Sequence, residues 1–243
     1  MKYLMTFSYN GTYYDGYQIQ NDKNTIQGVI EKNLTKINSN NKVKISASGR
    51  TDKGVHAINQ KAHFILDKNI DENKLKNALN KLLPDDIYIK NIIKVNDDFH
   101  ARFNVIKKEY IYKINIGEYN VFDRNYIYQY NKKLDVKKMK KASKILIGTH
   151  NFKSFVKTDI KEKDYVRTIY NIKFELKNNI LEITFIGNGF LRYMVRNLVG
   201  TLIEVGSDKK EIGQVKEILL SENREKAGIT APPEGLYLKN VKY

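Results

Sequence analysis

The sequence predicts an α+β fold made of two halves, each with the element order β-α-β-β-α-β. Segments in which apolar residues alternate indicate strands, and segments in which they recur three and four positions apart indicate helices. Turn residues such as glycine and asparagine separate these segments. The order of elements occurs twice along 243 residues, although the two halves share no recognisable identity. The repeat is therefore one of pattern only.

The first half begins with a strand at Lys2–Tyr9 and a helix that Asn24 or Thr25 caps. The helix is predicted because five apolar residues fall on one face: Ile26, Val29, Ile30, Leu34 and Ile37. The elements that follow are a strand at Val43–Ala47, a loop at Ser48–Gly54, a strand at Ala57–Leu66, a helix over about Asp71–Leu83 and a strand at Ile87–Val95.

The second half begins with a strand at Val105–Ile116. Asp135 caps the next helix, which has Val136, Met139 and Leu146 facing inward and ends at Gly148. Phe190–Val205 is the strongest helix, because its apolar residues keep helical spacing: Leu191, Met194, Val195, Leu198, Val199, Leu202 and Ile203. The other elements are a hairpin of Tyr165–Leu176 and Ile180–Ile186 around residues 177–179, a helix near Lys209–Leu220 and a last strand at Leu236–Tyr243.

This element order is the split β-α-β, or ferredoxin-like, arrangement, in which helices cover one face of a mostly antiparallel sheet. Two tandem copies predict an N-terminal α+β domain at residues 1–103, which carries the Ser48–Gly54 loop, and a C-terminal α+β domain at 104–243. We expect a basic cleft between the two domains. Sheet-surface modules of this kind bind single-stranded RNA, although their aromatic-rich motif is not recognisable here.

Composition favours a polyanionic partner and excludes several chemistries. The formal net charge is +16, which is typical of nucleic-acid-binding proteins. Because the chain has no cysteine, disulfides, zinc fingers and thiolate nucleophiles are excluded. No run of eighteen apolar residues and no signal-peptide pattern occur, so we expect a cytoplasmic protein that does not enter a membrane.

The arginines are more informative than the net charge. Lysine supplies 36 of the 43 basic residues, and scattered lysines usually form a solvated surface. In such a chain, a retained arginine indicates a position that needs a planar, bidentate or stacking group. Five of the seven arginines are Arg50, Arg102, Arg167, Arg192 and Arg196.

The loop around Asp52 is the main candidate for chemistry. Glycines flank the carboxylate in Gly49-Arg50-Thr51-Asp52-Lys53-Gly54, and they allow the backbone to approach a ligand. We expect the cation at Arg50 to lower the pKa of Asp52 and keep its carboxylate ionised. An ionised carboxylate can act as nucleophile or base. The structural alternative is that Thr51 and Asp52 only form an Asx-type turn between two strands.

Two other features allow a structural and a functional interpretation. Strand alternation places Tyr110 on the face of Tyr112 and Ile114, as a core aromatic or as a platform on which a base stacks. Arg192 and Arg196 are four residues apart on the predicted helix, off its apolar stripe. They form either a solvated face or a pair that binds a buried carboxylate and a phosphate.

Metal and nucleotide chemistry have little support. His56, His63 and His100 with Asp97 and Asp98 lack any recognised metal-ligand spacing. No phosphate-binding glycine motif follows a strand, and no Gly-x-Ser-x-Gly nucleophile elbow is present.

The segments together resemble the tRNA pseudouridine synthase A family nearly end to end. The motif that carries the resemblance is the loop Gly49–Ala57, and five ordered segments accompany it: Asp98–Phe103, the strand that contains Tyr110, Arg167–Ile169, Phe190–Gly200 and Pro233–Leu238. The early segments Tyr9–Gly11 and Gly16–Gln18 depart from the family pattern. Asn10 replaces the aspartate of the family pattern, and Tyr17 replaces its tryptophan. These differences bear on contacts with RNA and not on the catalytic chemistry.

The resemblance implies that Asp52 is the catalytic aspartate and Tyr110 the aromatic that stacks on the target base. It implies that Arg196 pairs with the aspartate and that Arg50 helps to extrude the base. Arg102, Arg192 and Leu236 are assigned to substrate binding, with the Leu236 strand and Tyr110 lining an apolar cleft. No metal or cofactor is implied.

The implied reaction isomerises uridine to pseudouridine on the 3′ side of the tRNA anticodon stem-loop, and the implied assembly is a homodimer. Whether Asp52 attacks C1′ of the ribose or removes a proton from the sugar stays open. Two alternatives of other classes remain: a non-catalytic RNA-binding module, and a metal-dependent nuclease that uses Asp97, Asp98 and the histidines.

Overall fold

The computed structural model describes residues 1–157 and 164–243. These residues form two units. The first unit contains Met1–Ile106 and Tyr237–Tyr243, and the second contains Lys107–Leu236. The sequence division placed the boundary after residue 103 and assigned the last strand to the second domain. In the structure that strand pairs with a strand of the first unit.

The strands within the described residues are β1 Lys2–Tyr9, β2 Ile45–Ala47, β3 His56–Ile65, β4 Ile87–Lys94, β5 Lys107–Asn115, β6 Tyr128–Gln129, β7 Gly148–Asn151, β8 Val166–Lys177, β9 Ile180–Gly187 and β10 Leu236–Lys242. The helices within the same residues are α1 Ile26–Ile37, α2 Glu72–Leu82, α3 Val136–Ser143, α4 Met194–Gly206 and α5 Gln214–Ser221. Short 3₁₀ turns lie at Lys144–Leu146, Lys153–Phe155, Arg224–Lys226 and Pro233–Gly235.

The first unit has one sheet whose central strand pair is β1 with β3. β4 is antiparallel to β1 on its other side, and β2 is antiparallel to β3, so these four strands have the order β4-β1-β3-β2. β10 pairs in parallel with the start of β3, with Tyr237 beside His56. Alternate residues of β1 face the core, and Tyr3, Met5 and Phe7 are fully buried.

The second unit has a sheet in which β9 lies between β5 and β8, and β7 forms the edge beyond β8. These pairs are antiparallel, and the two-residue strand β6 is parallel to β5. A mixed α/β chain with mostly antiparallel sheets is therefore confirmed. No helix among the described residues is both long and apolar enough to cross a membrane.

Local sequence explains where most elements begin. Thr25, Asp71 and Asp135 cap α1, α2 and α3, and each side chain accepts a hydrogen bond from a backbone N–H three residues later. Asn178 and Asn179 both have positive φ, of 49° and 62°, as the tight turn between β8 and β9 requires. The caps at Thr25 and Asp135 and this hairpin were predicted, whereas Asp71 was expected only as the approximate start of its helix.

Several elements differ from the prediction, among them α5, which begins at Gln214 and not near Lys209. The edge strands β6 and β7 are short and were not predicted, and Gly148 (φ 114°) begins β7 where it was expected only to end a helix. The helix predicted from Phe190 begins at Met194, because Tyr193 has a left-handed backbone (φ 65°) that cannot lie inside a helix.

Candidate active site

The loop that carries Asp52 connects β2 to β3, and its base is fixed by a buried glutamine. Gln60 Nε2 donates to the Gly49 carbonyl at 2.9 Å, and Ser48 Oγ donates to Gln60 Oε1 at 2.7 Å. The Ser48 N–H also donates to the Lys61 carbonyl at 2.8 Å. The start of the loop is thus held to β3 by side-chain and backbone bonds.

The tip of the loop is held from the side of Thr51. The hydroxyls of Tyr9 and Thr51 form a buried hydrogen bond of 2.8 Å, and the Thr51 carbonyl accepts from the Tyr17 N–H at 3.1 Å. Val55 N–H donates to the Asp52 carbonyl at 3.2 Å, which closes a turn over Gly54 (φ 77°). This turn uses the main-chain carbonyl of Asp52, whereas the Asx-type turn of the structural alternative would use the side-chain carboxylate. The Asp52 residue is half-buried.

Two glycines let the segment from Asn10 to Tyr17 pack against this loop. A Cβ at Gly11 would lie 2.0 Å from the Val55 carbonyl oxygen. Gly16 has φ 100°, and a Cβ there would lie 3.1 Å from the Thr51 carbonyl oxygen. Any side chain at Gly11 would therefore displace the Asp52 loop.

Tyr17, which stands where the family pattern has a tryptophan, supports the loop that carries Asp52. Tyr17 is 2% exposed and its ring lies 6.4 Å from the Tyr9 ring, centroid to centroid. Burial raises the pKa of Tyr17 well above its usual value and raises that of Tyr9 to about 12. Both hydroxyls therefore stay protonated. Asn10 Oδ1 accepts from the N–H and hydroxyl of Thr12, which orders the same segment.

Arg50 is exposed in the Asp52 loop, and Arg102 is exposed in a separate turn of the same unit. The histidines build that second turn. His100 Nδ1 accepts from the Arg102 N–H at 3.1 Å, and His63 Nδ1 accepts from the Ala101 N–H at 3.1 Å. Within residues 1–157 and 164–243 no cluster of three or more metal-ligating side chains occurs. The Nδ1 atoms of His63 and His100 therefore accept hydrogen bonds from the backbone of this turn.

Tyr110 lies in the second unit, at the end of a buried row on β5. It is 8% exposed, and the next residues on its face, Tyr112 and Ile114, are fully buried. The Tyr110 ring meets the Phe190 ring edge-on, with 5.2 Å between centroids and 80° between planes. This ring-to-ring contact fixes the plane of Tyr110.

Arg192 and Arg196 do not share a helical face, contrary to the prediction. Arg192 precedes α4 and is exposed, whereas Arg196 is inside α4 and only 9% exposed. Tyr193, between them, brings the two together, because both guanidinium carbons lie over its ring, at 5.5 Å and 4.9 Å from the centroid. A solvated face is therefore wrong for Arg196.

Arg196 has a further partner that the sequence did not reveal. Its Nε donates to the Ala231 carbonyl at 2.7 Å, and the Ala231 N–H donates back to the Arg196 carbonyl at 3.1 Å. Neither Ala231 nor Tyr193 carried a recognisable signal, because one acts through its main chain and the other through a backbone conformation rare for tyrosine.

Leu236 is buried and follows the 3₁₀ turn Pro233–Gly235. This turn packs against β5. A Cβ at Gly235 would lie 2.7 Å from the Lys113 carbonyl oxygen, and Tyr112 Oη donates to the Pro232 carbonyl at 2.7 Å. Burial raises the pKa of Glu234 in the turn, and the charge of Arg196 partly opposes that rise.

Comparison with known proteins identifies the family. The family model described as tRNA pseudouridine synthase matches residues 5–104 and 142–243. Three proteins named tRNA pseudouridine synthase A are similar over nearly the whole chain. The relative from Geobacillus sp. (strain WCH70) is 46% identical over 241 residues, covering 98% of this chain and 96% of the relative.

The relative from Anoxybacillus flavithermus is 45% identical over 238 residues, covering 98% of this chain and 97% of the relative. The relative from Bacillus licheniformis is 43% identical over 245 residues, covering 100% of this chain and 99% of the relative. These matches confirm the resemblance stated from the sequence motifs. The chain therefore belongs to the tRNA pseudouridine synthase family, and it is an isomerase.

Proposed function

We propose that this protein converts uridine to pseudouridine on the 3′ side of the tRNA anticodon stem-loop, with Asp52 as the catalytic residue. In the reaction the N1–C1′ bond of uridine breaks, the uracil turns, and C5 bonds to C1′. The proton on C5 leaves to water and N1 gains a proton, so the product is an isomer of the substrate. No metal or cofactor enters this scheme.

The observation that carries the proposal is the way the Asp52 loop is built. Bonds from Gln60, Tyr9 and Tyr17 hold both sides of the turn, and Gly11 and Gly16 bring a second segment against it. Such support fixes the backbone that carries the half-buried Asp52 side chain, as a catalytic group requires. Asp52 acts as a carboxylate, either on C1′ or on a sugar proton, and the activity should therefore fall in acid.

The proposed roles of the arginines and of Tyr110 follow from what the reaction requires. The target base must leave its stack, which costs a few kcal/mol, and the face of Tyr110 offers replacement stacking. Arg50, exposed beside Asp52, helps to extrude the base. Arg196 is the basic partner of the aspartate, Arg102 and Arg192 contact phosphates, and Leu236 excludes water.

Three finer features complete the proposal. The two halves are ferredoxin-like, a basic cleft between them receives the RNA, and the protein works as a homodimer. The strand order β4-β1-β3-β2 of the first unit and the net charge of +16 support the first two features.

Tritium release from uridine tests the function. Unmodified tRNA labelled with tritium at C5 of uridine should lose its label to water when the protein is added, because C5 exchanges its proton for the bond to C1′. Asp52→Asn should abolish release. The matched control is Asp22→Asn, which removes one charge at an exposed residue with φ 56°, where asparagine is well tolerated.

The outcomes separate the three hypotheses. Release that requires Asp52, with RNA length preserved, supports the proposal. RNA binding without release, unchanged in Asp52→Asn, would identify a non-catalytic binding module. Shortened RNA that a chelator protects would identify a nuclease.

A further inference from the structure

Arg224 is an arginine that the sequence motifs leave without a role. It lies in the 3₁₀ turn Arg224–Lys226, and its planar fork makes four hydrogen bonds. Nη1 donates to the carbonyls of Ala227 (3.4 Å) and Gly228 (2.9 Å), and Nη2 donates to Asn197 Oδ1 and Thr230 Oγ1, both at 3.0 Å. A lysine has one nitrogen and cannot span these acceptors, so this position needs arginine.

The acceptors form a connected network on α4. Thr230 Oγ1 donates to Asn197 Oδ1 at 2.7 Å, and Asn197 Nδ2 donates to the Phe155 carbonyl at 2.7 Å. Asn197 is fully buried, so its amide depends on these partners. Arg224 therefore holds the side chain of Asn197, the residue that follows Arg196 in the sequence.

The segment from Ala227 to Ala231 lies directly on α4. A Cβ at Gly200 would lie 1.7 Å from the Ile229 carbonyl oxygen, and the Gly228 N–H donates to Thr201 Oγ1 at 2.9 Å. The segment thus follows any movement of the helix, and its position is set by Arg224 at one end.

The other end of the segment is Ala231, whose carbonyl accepts from Arg196 Nε. Thr230, the residue before it, is bonded to Arg224. Arg224 is therefore connected to the Arg196 guanidinium in three steps. Its side chain bonds to Thr230, Thr230 is covalently linked to Ala231, and the Ala231 carbonyl bonds to Arg196 Nε. The Tyr193 ring is a second contact of this guanidinium, with its centroid 4.9 Å from the guanidinium carbon.

We propose that Arg224 is a positioning residue, which fixes the Arg196 guanidinium through Thr230 and the Ala231 carbonyl. This proposal rests on the function proposed above, in which Arg196 is the basic partner of the catalytic aspartate. Loss of the Arg224 fork should therefore lower turnover and leave RNA binding nearly unchanged.

The test compares Arg224→Lys with Arg124→Lys, which makes the same change at an exposed arginine that donates to the Val121 carbonyl. With tritium-labelled tRNA, kcat of Arg224→Lys should fall about tenfold while KM stays within about twofold. NMR gives a readout that needs no substrate, because hydrogen exchange of the Arg196 Nε–H should become about tenfold faster in Arg224→Lys. Arg124→Lys should match the wild type in both measurements.

A second pair of variants acts on the same path with less disturbance. Thr230→Val keeps the shape of the side chain and removes both hydrogen bonds of the hydroxyl, whereas Thr230→Ser keeps the hydroxyl. We expect faster Arg196 Nε–H exchange and lower kcat in Thr230→Val, and recovery of both in Thr230→Ser. This pair decides the proposal if Arg224→Lys fails to fold in a thermal melt.

The proposal is overturned if folded Arg224→Lys or Thr230→Val keeps wild-type exchange at Arg196. It is also overturned if Arg224→Lys lowers kcat by the same factor in an Arg196→Lys background, since the two changes would then be independent. A wild-type protein that releases no tritium contradicts the proposed function alone, and the NMR result still decides the positioning role.

Discussion

At the scale of single residues, burial decides which groups carry charge. The His63 ring contacts the His100 ring, and its Nδ1 accepts a hydrogen bond from the Ala101 N–H. Burial, with help from the charges of His100 and Lys2, lowers the pKa of His63 to about 4. The imidazole is therefore neutral in the folded protein over the physiological range, and it serves as a hydrogen-bond acceptor.

This lowered pKa predicts a pH dependence of stability. Between the unfolded value of 6.5 and the folded value of about 4, the unfolded chain binds a proton at His63 that the folded chain does not. The free energy of unfolding should therefore fall as the pH decreases through this window. Urea denaturation at several pH values measures the slope.

The matched variant is His63→Gln, which can still accept the bond from Ala101 and does not titrate. Its unfolding free energy should fall less steeply between pH 6.5 and 4 than that of the wild type. Equal slopes in the two proteins would show that His63 does not cause the dependence.

At the scale of elements, close contacts between backbones restrict substitution more than apolar pattern does. Gly200 lies on the buried side of α4, where the Ile229 carbonyl occupies the space of a Cβ. Gly213 also adjoins a helix, but no atom lies within 4 Å of the Cβ position, and its φ of −62° is helical. The two glycines therefore predict opposite responses to the same change.

Gly200→Ala should lower the free energy of unfolding by about 1–3 kcal/mol or more, because the methyl group must push the backbone of residues 227–231 away. Gly213→Ala should leave it unchanged or raise it by about 0.4–1 kcal/mol, since alanine reduces the freedom of the unfolded chain. Thermal or urea unfolding of both variants measures the difference. Similar changes in the two would contradict the close contact at Ile229.

Sequence patterns predicted most elements because capping residues and apolar spacing act locally. Thr25 and Asp135 are examples, and each caps a helix as predicted. The start of α4 was wrong by four residues because apolar periodicity continues through Leu191, while the left-handed Tyr193 leaves no local signature. The contacts of Arg196 with Tyr193 and Ala231 are tertiary, and no spacing in the sequence encodes them.

At the scale of the whole molecule, charge governs the encounter with RNA. The formal net charge of +16 comes from 43 basic and 27 acidic residues, and a polyanion that binds such a protein releases counterions.

The affinity for tRNA should therefore fall steeply with salt. A plot of log K against log salt should have a slope of about −0.7 to −0.9 for each phosphate contact. Arg102→Gln should make the slope shallower by about one contact, because it removes a charge proposed to meet a phosphate. Fluorescence anisotropy with labelled tRNA at several KCl concentrations measures both slopes. A slope near zero would exclude a phosphate-dominated interface.

The pairing of β10 with β3 also bears on synthesis. The first unit takes its parallel strand from residues 237–242, and Tyr243 donates a hydrogen bond to the Ala101 carbonyl. On the ribosome, more than a hundred residues are added after Ile106 before this strand exists. Until then, the side of β3 at His56 and Ala57 that β10 later occupies stays unpaired. In this state a chaperone or a neighbouring nascent chain can bind that strand.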